Sequence, residues 1–204
     1  LIATIAELKT GFEMLNKVCA LQSLGYGGIC AEFGPVFGGY CGGPEGTAVV
    51  TVASHFMGVL MYHAGWHLVL PVHINYGSNS TPELLWVASV YAQAISRNTR
   101  QLSLHLNYTA AGPCTETCLY EIAAQRLAAV PSGVSIESVG VAKATHEDYL
   151  TPMEPKFAAE VAHAAVGMKR ENANEIVKAL LPKYADKVAN PPLGLKYQEC
   201  YDIR

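Results

Sequence analysis

The sequence predicts a β/α protein built on a parallel sheet, and three observations carry that prediction. In residues 101–118, QLSLHLNYTAAGPCTETC, leucines at 102, 104 and 106 alternate with Gln101, Ser103, His105 and Asn107, and a period of two marks a strand with two different faces. That strand runs into small residues and Gly112-Pro113, the chemistry of a tight loop opening a helix, with Pro113 suited to the first helical position and Glu116 to the first turn. The same order of apolar strand, polar tip, glycine turn and helix recurs elsewhere along the chain. The third observation is composition: 50% of the 204 residues are hydrophobic and 15% charged, against about 25% charged in an ordinary soluble domain. A β/α fold needs apolar strands and helices, and the surplus predicts further surface buried against something outside the chain.

Taken in order, apolar positions at Ile5, Leu8, Phe12, Leu15, Val18 and Leu21 give residues 1–24 a helical spacing. Gly25-Tyr-Gly-Gly28 ends that helix, and residues 28–33 form a short strand with Glu32 near its end. Gly34-Pro35 and residues 38–43 make a glycine-rich loop before Pro44-Glu45 opens a helix to about Trp66. Residues 67–76, HLVLPVHINY, form the second strand, with His73 and Asn75 near its end. Thr81 reads as an N-cap with Pro82 at the first helical position, and this helix reaches about Asn98. The strand at 101–108 is the third, delivering Asn107 and Tyr108 to its carboxyl end, and its helix covers about 114–130. Pro131-Ser-Gly133 turns into a fourth strand at 134–143, followed by a helix at 156–168. Asn172 and Glu175 are spaced as a capping box for the last helix, which Pro182 kinks and which reaches about Val188 before a tail at 196–204. Four strands, each followed by a helix, form a parallel sheet through right-handed crossovers. Residues 1–204 then make one domain, either a small open sheet or half of an eight-unit barrel.

Composition excludes several classes. Seventeen acids and fourteen bases give a net charge of −3 with no basic run, so there is no electrostatic footprint for nucleic acid. The uncharged run at 47–66 is long enough to be weighed as a membrane span, but it carries Thr47, Thr51, Ser54, His55 and His63 and no flanking Lys or Arg. It reads as a helix buried between protein layers. Six cysteines scattered in apolar contexts read as reduced thiols, and no signal-peptide pattern opens the chain, so a cytoplasmic location is expected. Opening at Leu1 inside an apolar pattern, the chain reads as a piece of something longer.

The candidate chemistry lies at strand ends, where β/α proteins place their sites. Glu32 suits an acid/base or a cation partner, or a rim carboxylate satisfied by loop N–H groups. Tyr76, Tyr108 and Asn107 suit ligand orientation or closure of the mouth, with His73 and Asn75 placed by position. The glycines at 38–43 suit an anion or merely a sharp bend, and lack the Lys-Ser/Thr ending of a P-loop. His63/His67 and Cys114/Cys118 are each four apart, poor matches to zinc spacing, and read as packed residues with no metal. A metal-dependent hydrolase using His73, His105 and Glu32 is one rival reading, and a non-enzymatic scaffold is another.

The blocks Pro35-Val-Phe-Gly-Gly-Tyr-Cys-Gly-Gly43, Trp66-His-Leu, Pro71-Val-His-Ile74, Ala111-Gly-Pro-Cys-Thr-Glu-Thr-Cys118 and Gln198-Glu-Cys-Tyr-Asp202, in one register, resemble the monomethylamine:corrinoid methyltransferases of methane-producing archaea. The resemblance implies the C-terminal half of a (β/α)₈ TIM barrel with parallel strands and a homo-oligomer. It also implies methyl transfer from a methylamine to the Co(I) of a corrinoid on a partner protein. The family's pyrrolysine would precede Leu1, and a reading frame restarted downstream of its in-frame amber codon would leave such a chain. By counting from the family's motifs, Glu32 and Tyr108 match pocket residues. Leu106 stands where the family has a pocket glutamine, and a second pocket glutamate would align near Leu1, where there is none. The resemblance therefore implies catalytic roles for Glu32 and Tyr108, with Leu106, Asn107, His73 and Asn75 around the substrate. The two departures leave room for a pyrrolysine-free homologue acting on another methylated donor.

Overall fold

The computed structural model describes residues 1–4 and 8–201. Along the chain run β1 (Ile2–Thr4), α1 (Phe12–Ser23), β2 (Cys30–Phe33), β3 (Val36–Phe37), α2 (Pro44–Tyr62), β4 (Trp66–Val69), β5 (Val72–His73) and α3 (Pro82–Asn98). They are followed by β6 (Leu102–Tyr108), α4 (Glu116–Ala129), β7 (Ser135–Gly140), α5 (Met153–Ala165), α6 (Arg170–Leu180) and α7 (Tyr197–Cys200). β1, β2, β4, β6 and β7 form one sheet in that order, every pairing parallel, and β3 pairs with β5 in a separate two-stranded layer. Each strand of the main sheet thus lies beside the next in sequence, with no reversal. Right-handed crossovers that all advance in one direction put every helix on one face, the arrangement of a (β/α)₈ barrel rather than of a doubly wound sheet.

The side chains bear this out. Ile29, Ala31 and Phe33 pack with Val18 of α1 and Tyr62 of α2, while Val69 packs with α3, and Val139 with Cys118 and Ile122 of α4. The opposite parity, Cys30, Leu68, Leu70 and Leu106 with Trp66, Leu104 and Tyr108 at its margin, forms its own cluster without any helix. That inner face is the lining of a barrel.

The outer face of β6 is covered. Its polar residues lie beneath α2 and α3: His55 bonds Ser103 Oγ through Nε2 at 2.8 Å and Thr51 O through Nδ1, and Tyr91 Oη bonds His105 Nδ1 at 2.9 Å. Burial pushes His55 down to about 4 and His105 down to about 3, so this polar layer is neutral at physiological pH.

Several elements differ from the sequence reading. The first residues are not helical: Ile2, Ala3 and Thr4 pair with Ala31, Glu32 and Phe33, so among the described residues the sheet has five strands rather than four. Three residues are too short to show a period of two, and a pairing partner outside the segment decides. Ile5 lies outside the described residues, and α1 begins only at Phe12. The second strand breaks because Pro71 has no N–H for the ladder, and the chain resumes as β5 against β3. Pro113 is not in α4: Thr115 is the N-cap, its hydroxyl accepting from Cys118 N, and Glu116 is the first helical residue. α5 starts at Met153, and α6 starts at Arg170, so Asn172 lies inside it and Glu175 pairs with Lys178 at 2.9 Å instead of capping. Pro182 stops α6 by way of a 3₁₀ turn at Leu181–Lys183. Thr81 caps α3 as its sequence predicts. Among the described residues no helix is long and apolar enough to cross a membrane.

Candidate functional site

The inner face brings together three of the candidate residues. Glu32 lies on β2, in register with Leu68 of β4 and one step from the strand's end. It is only 9% exposed, and burial, followed by the charge of Glu137, raises its pKa. Tyr108, half-buried, is the last residue of β6, and its pKa is raised by burial and then by the charges of Glu32 and Glu137. Cys30, inward on β2, is pushed up to about 11 by burial first, with the two glutamates adding to it. Leu106 lines the same face with Leu68 and Leu70. Glu32, Tyr108 and Leu106 are therefore brought together, and Glu137 joins them although nothing in the sequence reading singled it out. An apolar wall with two carboxylates and a phenol holds a small cation well and places a proton acceptor beside it.

Glu137 owes its position to an irregularity. His105 pairs with Ile136 but Asn107 pairs with Val139, so β7 has one more residue than β6 across this step. Such a bulge re-aims side chains and disturbs the ladder. Arg126 of α4, fully buried, fills the gap: Nη1 donates to His105 O at 3.0 Å, and Nη2 donates to Glu137 O at 2.6 Å and Ser138 O at 3.2 Å. Beyond the bulge Gly140 pairs with Tyr108, and a Cβ on Gly140 would lie 2.5 Å from the tyrosine ring. Only glycine leaves room for that ring.

The end of β6 is pinned by neighbouring elements. Asn79 accepts from Tyr108 N at 2.8 Å and donates its own N–H to Tyr108 O, to which Gln125 also donates at 3.2 Å. Glu121 of α4 holds the following loop, accepting from Ser80 Oγ at 2.5 Å, Ala110 N at 2.7 Å and Ala111 N at 2.9 Å. Burial pushes this carboxyl up to about 7 against those three donors, which favour its charged form. Glu121, Gln125 and Arg126 thus shape the site from behind the sheet.

Other predicted residues are placed elsewhere. Asn107 has the parity of His105, faces away from the inner surface and is fully buried, with neither amide atom hydrogen-bonded. Its assignment to the substrate is corrected on that ground. His73 sits in the β3–β5 layer beyond β2 and β4, stacked on Tyr76 at 4.2 Å between ring centroids, with Nδ1 accepting from Asn75 N. Asn75 is exposed. His73, His105 and Glu32 occupy three different surroundings, which removes the metal-hydrolase reading. His63 is the left-handed C-cap of α2 and His67 is buried in β4, so α2 ends between them. Among the described residues no group of three or more His, Cys, Asp or Glu is arranged to hold a metal ion. In the glycine loop, Gly38, Gly39 and Gly42 donate their N–H groups to Gly42, Val36 and Gly39, so those amides serve the bend.

Comparisons with known proteins agree with this architecture. The family model described as monomethylamine methyltransferase MtmB matches residues 2–204. Monomethylamine methyltransferases MtmB2 and MtmB1 of Methanosarcina barkeri are 40% and 44% identical over 204 residues, all of this chain and 44% of each relative. MtmB of Methanosarcina mazei is 43% identical over 177 residues, covering 86% of this chain and 39% of that protein. The crystal structure of the M. barkeri enzyme superposes with a TM-score of 0.94 at 39% identity over 98% of this chain and 44% of that one. The same values hold for the structure of its hydroxylamine complex. The chain spans somewhat under half the length of these relatives. A singly wound parallel sheet of matching shape, together with a match along its length, means that the chain belongs to the monomethylamine methyltransferase MtmB family.

Proposed function

We propose that this chain forms the carboxyl-terminal part of the barrel of a methyltransferase that moves a methyl group from monomethylamine to the Co(I) corrinoid of a partner protein. The observation that carries the proposal is the pairing of Glu32 with Glu137 and Tyr108 on an apolar inner face. Methylammonium is a small cation with one apolar end, and the residues present fit it: carboxylates for the charge, Leu68, Leu70 and Leu106 for the methyl group. They also fit the pyrrolysine that the resemblance places before this chain, whose ring would find a counter-charge in Glu32 and Glu137 when protonated. Co(I) supplies the nucleophile, so this chain needs none of its own. Glu32, with its pKa raised, takes the proton released from the ammonium or holds the cation, and the Tyr108 hydroxyl orients it by hydrogen bonding. The same reading has the protein as a cytoplasmic homo-oligomer; Val49, Phe56 and Leu60, exposed on α2, are the apolar surface that agrees with it.

Leu106 supports a second reading, another methylated donor without pyrrolysine, because an apolar side chain replaces the family's glutamine at 7% exposure in the site wall. The test is corrinoid methylation by the full-length protein, supplied in turn with mono-, di- and trimethylamine. The proposal expects monomethylamine to be the best donor and Glu32→Gln to lower its rate by about two to four orders of magnitude with folding unchanged. Normal turnover in Glu32→Gln takes Glu32 out of the mechanism, and preference for another donor favours the second reading.

A further inference from the structure

Outside the inner face, two cysteines meet across a long stretch of chain. Cys114 Sγ and Cys200 Sγ are 2.6 Å apart, though 86 positions separate them. Cys114 lies in the loop between β6 and α4, held at a φ of 60° in the left-handed region, and Cys200 is the last residue of α7. Backbone hydrogen bonds fasten both sides. Gly112 N donates to Pro192 O at 2.9 Å, Leu195 N to Pro113 O at 3.2 Å, and Tyr197 N to Asp148 O at 2.7 Å. Cys114 N itself donates to Glu154 Oε1 at 3.1 Å. A Cβ on Gly112 would collide with the Leu193 carbonyl, so the segment at 190–200 lies flat on the loop as a strap. Cys114 is exposed and Cys200 partly so.

We propose that Cys114 and Cys200 form a thiol–disulfide exchange site whose substrate is a low-molecular-weight disulfide. Cys114, the more exposed, attacks one sulfur of the disulfide as a thiolate. The S–S bond breaks, one thiolate leaves with the electron pair and takes up the proton from Cys114, and a mixed disulfide remains. Cys200, already in contact, then attacks the Cys114 sulfur and expels the second thiolate, which takes up the Cys200 proton. Two protein thiols are oxidised, one small disulfide is reduced to two thiols, and the 114–200 bond closes the strap onto the rim loop. Partial burial, the Cys200 thiol and the Glu154 charge push Cys114 up to about 12, so the first step is slow at neutral pH and quickens in alkali. The second step is intramolecular and fast because both backbones are held in place.

The test uses the full-length protein, reduced, exposed to excess glutathione disulfide at mildly alkaline pH, alkylated and mapped by peptide mass. Cys19, also exposed, is the internal control for reagent reach. The expected product is a reducible pair of peptides joined through Cys114 and Cys200 and lighter by two hydrogen atoms, with no glutathione on either. Cys200→Ser, nearly isosteric, should trap glutathione on Cys114. A wild-type protein in which glutathione persists on Cys114, or in which both thiols stay alkylatable while Cys19 is modified, overturns the proposal. The outcome is independent of methyl transfer.

Discussion

Replacing Arg126 by methionine should loosen the β6–β7 step that places Glu137. The side chain is fully buried and makes three hydrogen bonds to main-chain carbonyls at the bulge. Hydrogen bonds from a charged donor contribute about 1.5–3 kcal/mol each, roughly 5–9 kcal/mol in all. Against this stands the cost of burying the guanidinium, several kcal/mol, which methionine avoids while filling much of the volume. Burial lowers the Arg126 pKa to about 10, so the group remains charged at neutral pH and the cost is real. The balance is a loss of about 3–5 kcal/mol, since the His105 carbonyl is left buried without its donor and the part-buried carbonyls of Glu137 and Ser138 lose theirs. Urea unfolding of the full-length protein measures it. Amide exchange localises it: β7 should lose protection while β2, which shares no ladder with β6 or β7, keeps its own. Arg126→Lys should fall between, because one ammonium cannot reproduce the planar fork. A variant destabilised by under about 1 kcal/mol, with β7 exchange unchanged, would refute the idea that Arg126 holds the bulge.

Three further outcomes follow from the site. Tyr108→Phe should slow methyl transfer by about tenfold, the value of one positioning hydrogen bond of roughly 1–1.5 kcal/mol, and single-turnover kinetics with the full-length protein would read it. Gly140→Ala puts a methyl group into the Tyr108 ring, so it should cost about 1–3 kcal/mol and raise KM; an unchanged KM and stability would mean that the ring is free to move. Glu121, raised from 4.5 to about 7 in the folded protein, contributes stability that is full below pH 4.5 and lost as pH rises through 7, about 3 kcal/mol in total. Calorimetric Tm values across that window should fall with pH in the wild type, and Glu121→Gln should flatten the dependence.

Much of this was legible in the chain. Thr81-Pro82 marks a helix start whose chemistry is local, whereas Gly112-Pro113 pointed too early for α4, and the leucines of β6 announce its inner face. Parity also separates Asn107 from Tyr108: adjacent residues on a strand point to opposite sides, so both could not face one ligand. Other features have causes far away in sequence. β1 is three residues long and becomes a strand only by pairing with Ala31, Glu32 and Phe33. Glu121, Gln125 and Arg126 look like the solvated side of a helix, yet all three are buried because partners on the β6 end, the rim loop and β7 meet them there. Glu137 reaches the site through a register slip that no local pattern encodes. A cue existed in the i, i+4 spacing of Glu121 and Gln125 next to Arg126, on a helix otherwise rich in alanine.

The polar seam on α4 bears on which sequence changes this fold can absorb. Glu121 grips the loop after β6, Gln125 the carbonyl of Tyr108, and Arg126 the bulge, so one helix is keyed to the sheet at three heights. Apolar packing alone would let a helix slide by a turn at modest cost, since one alanine is much like another. Here a slide of one turn breaks every key at once. Insertions or deletions between Thr109 and Thr115 should therefore be purged in evolution. Changes at positions 121, 125 and 126 should be strongly epistatic, accepted only in combination with compensating changes on β7 or the rim loop.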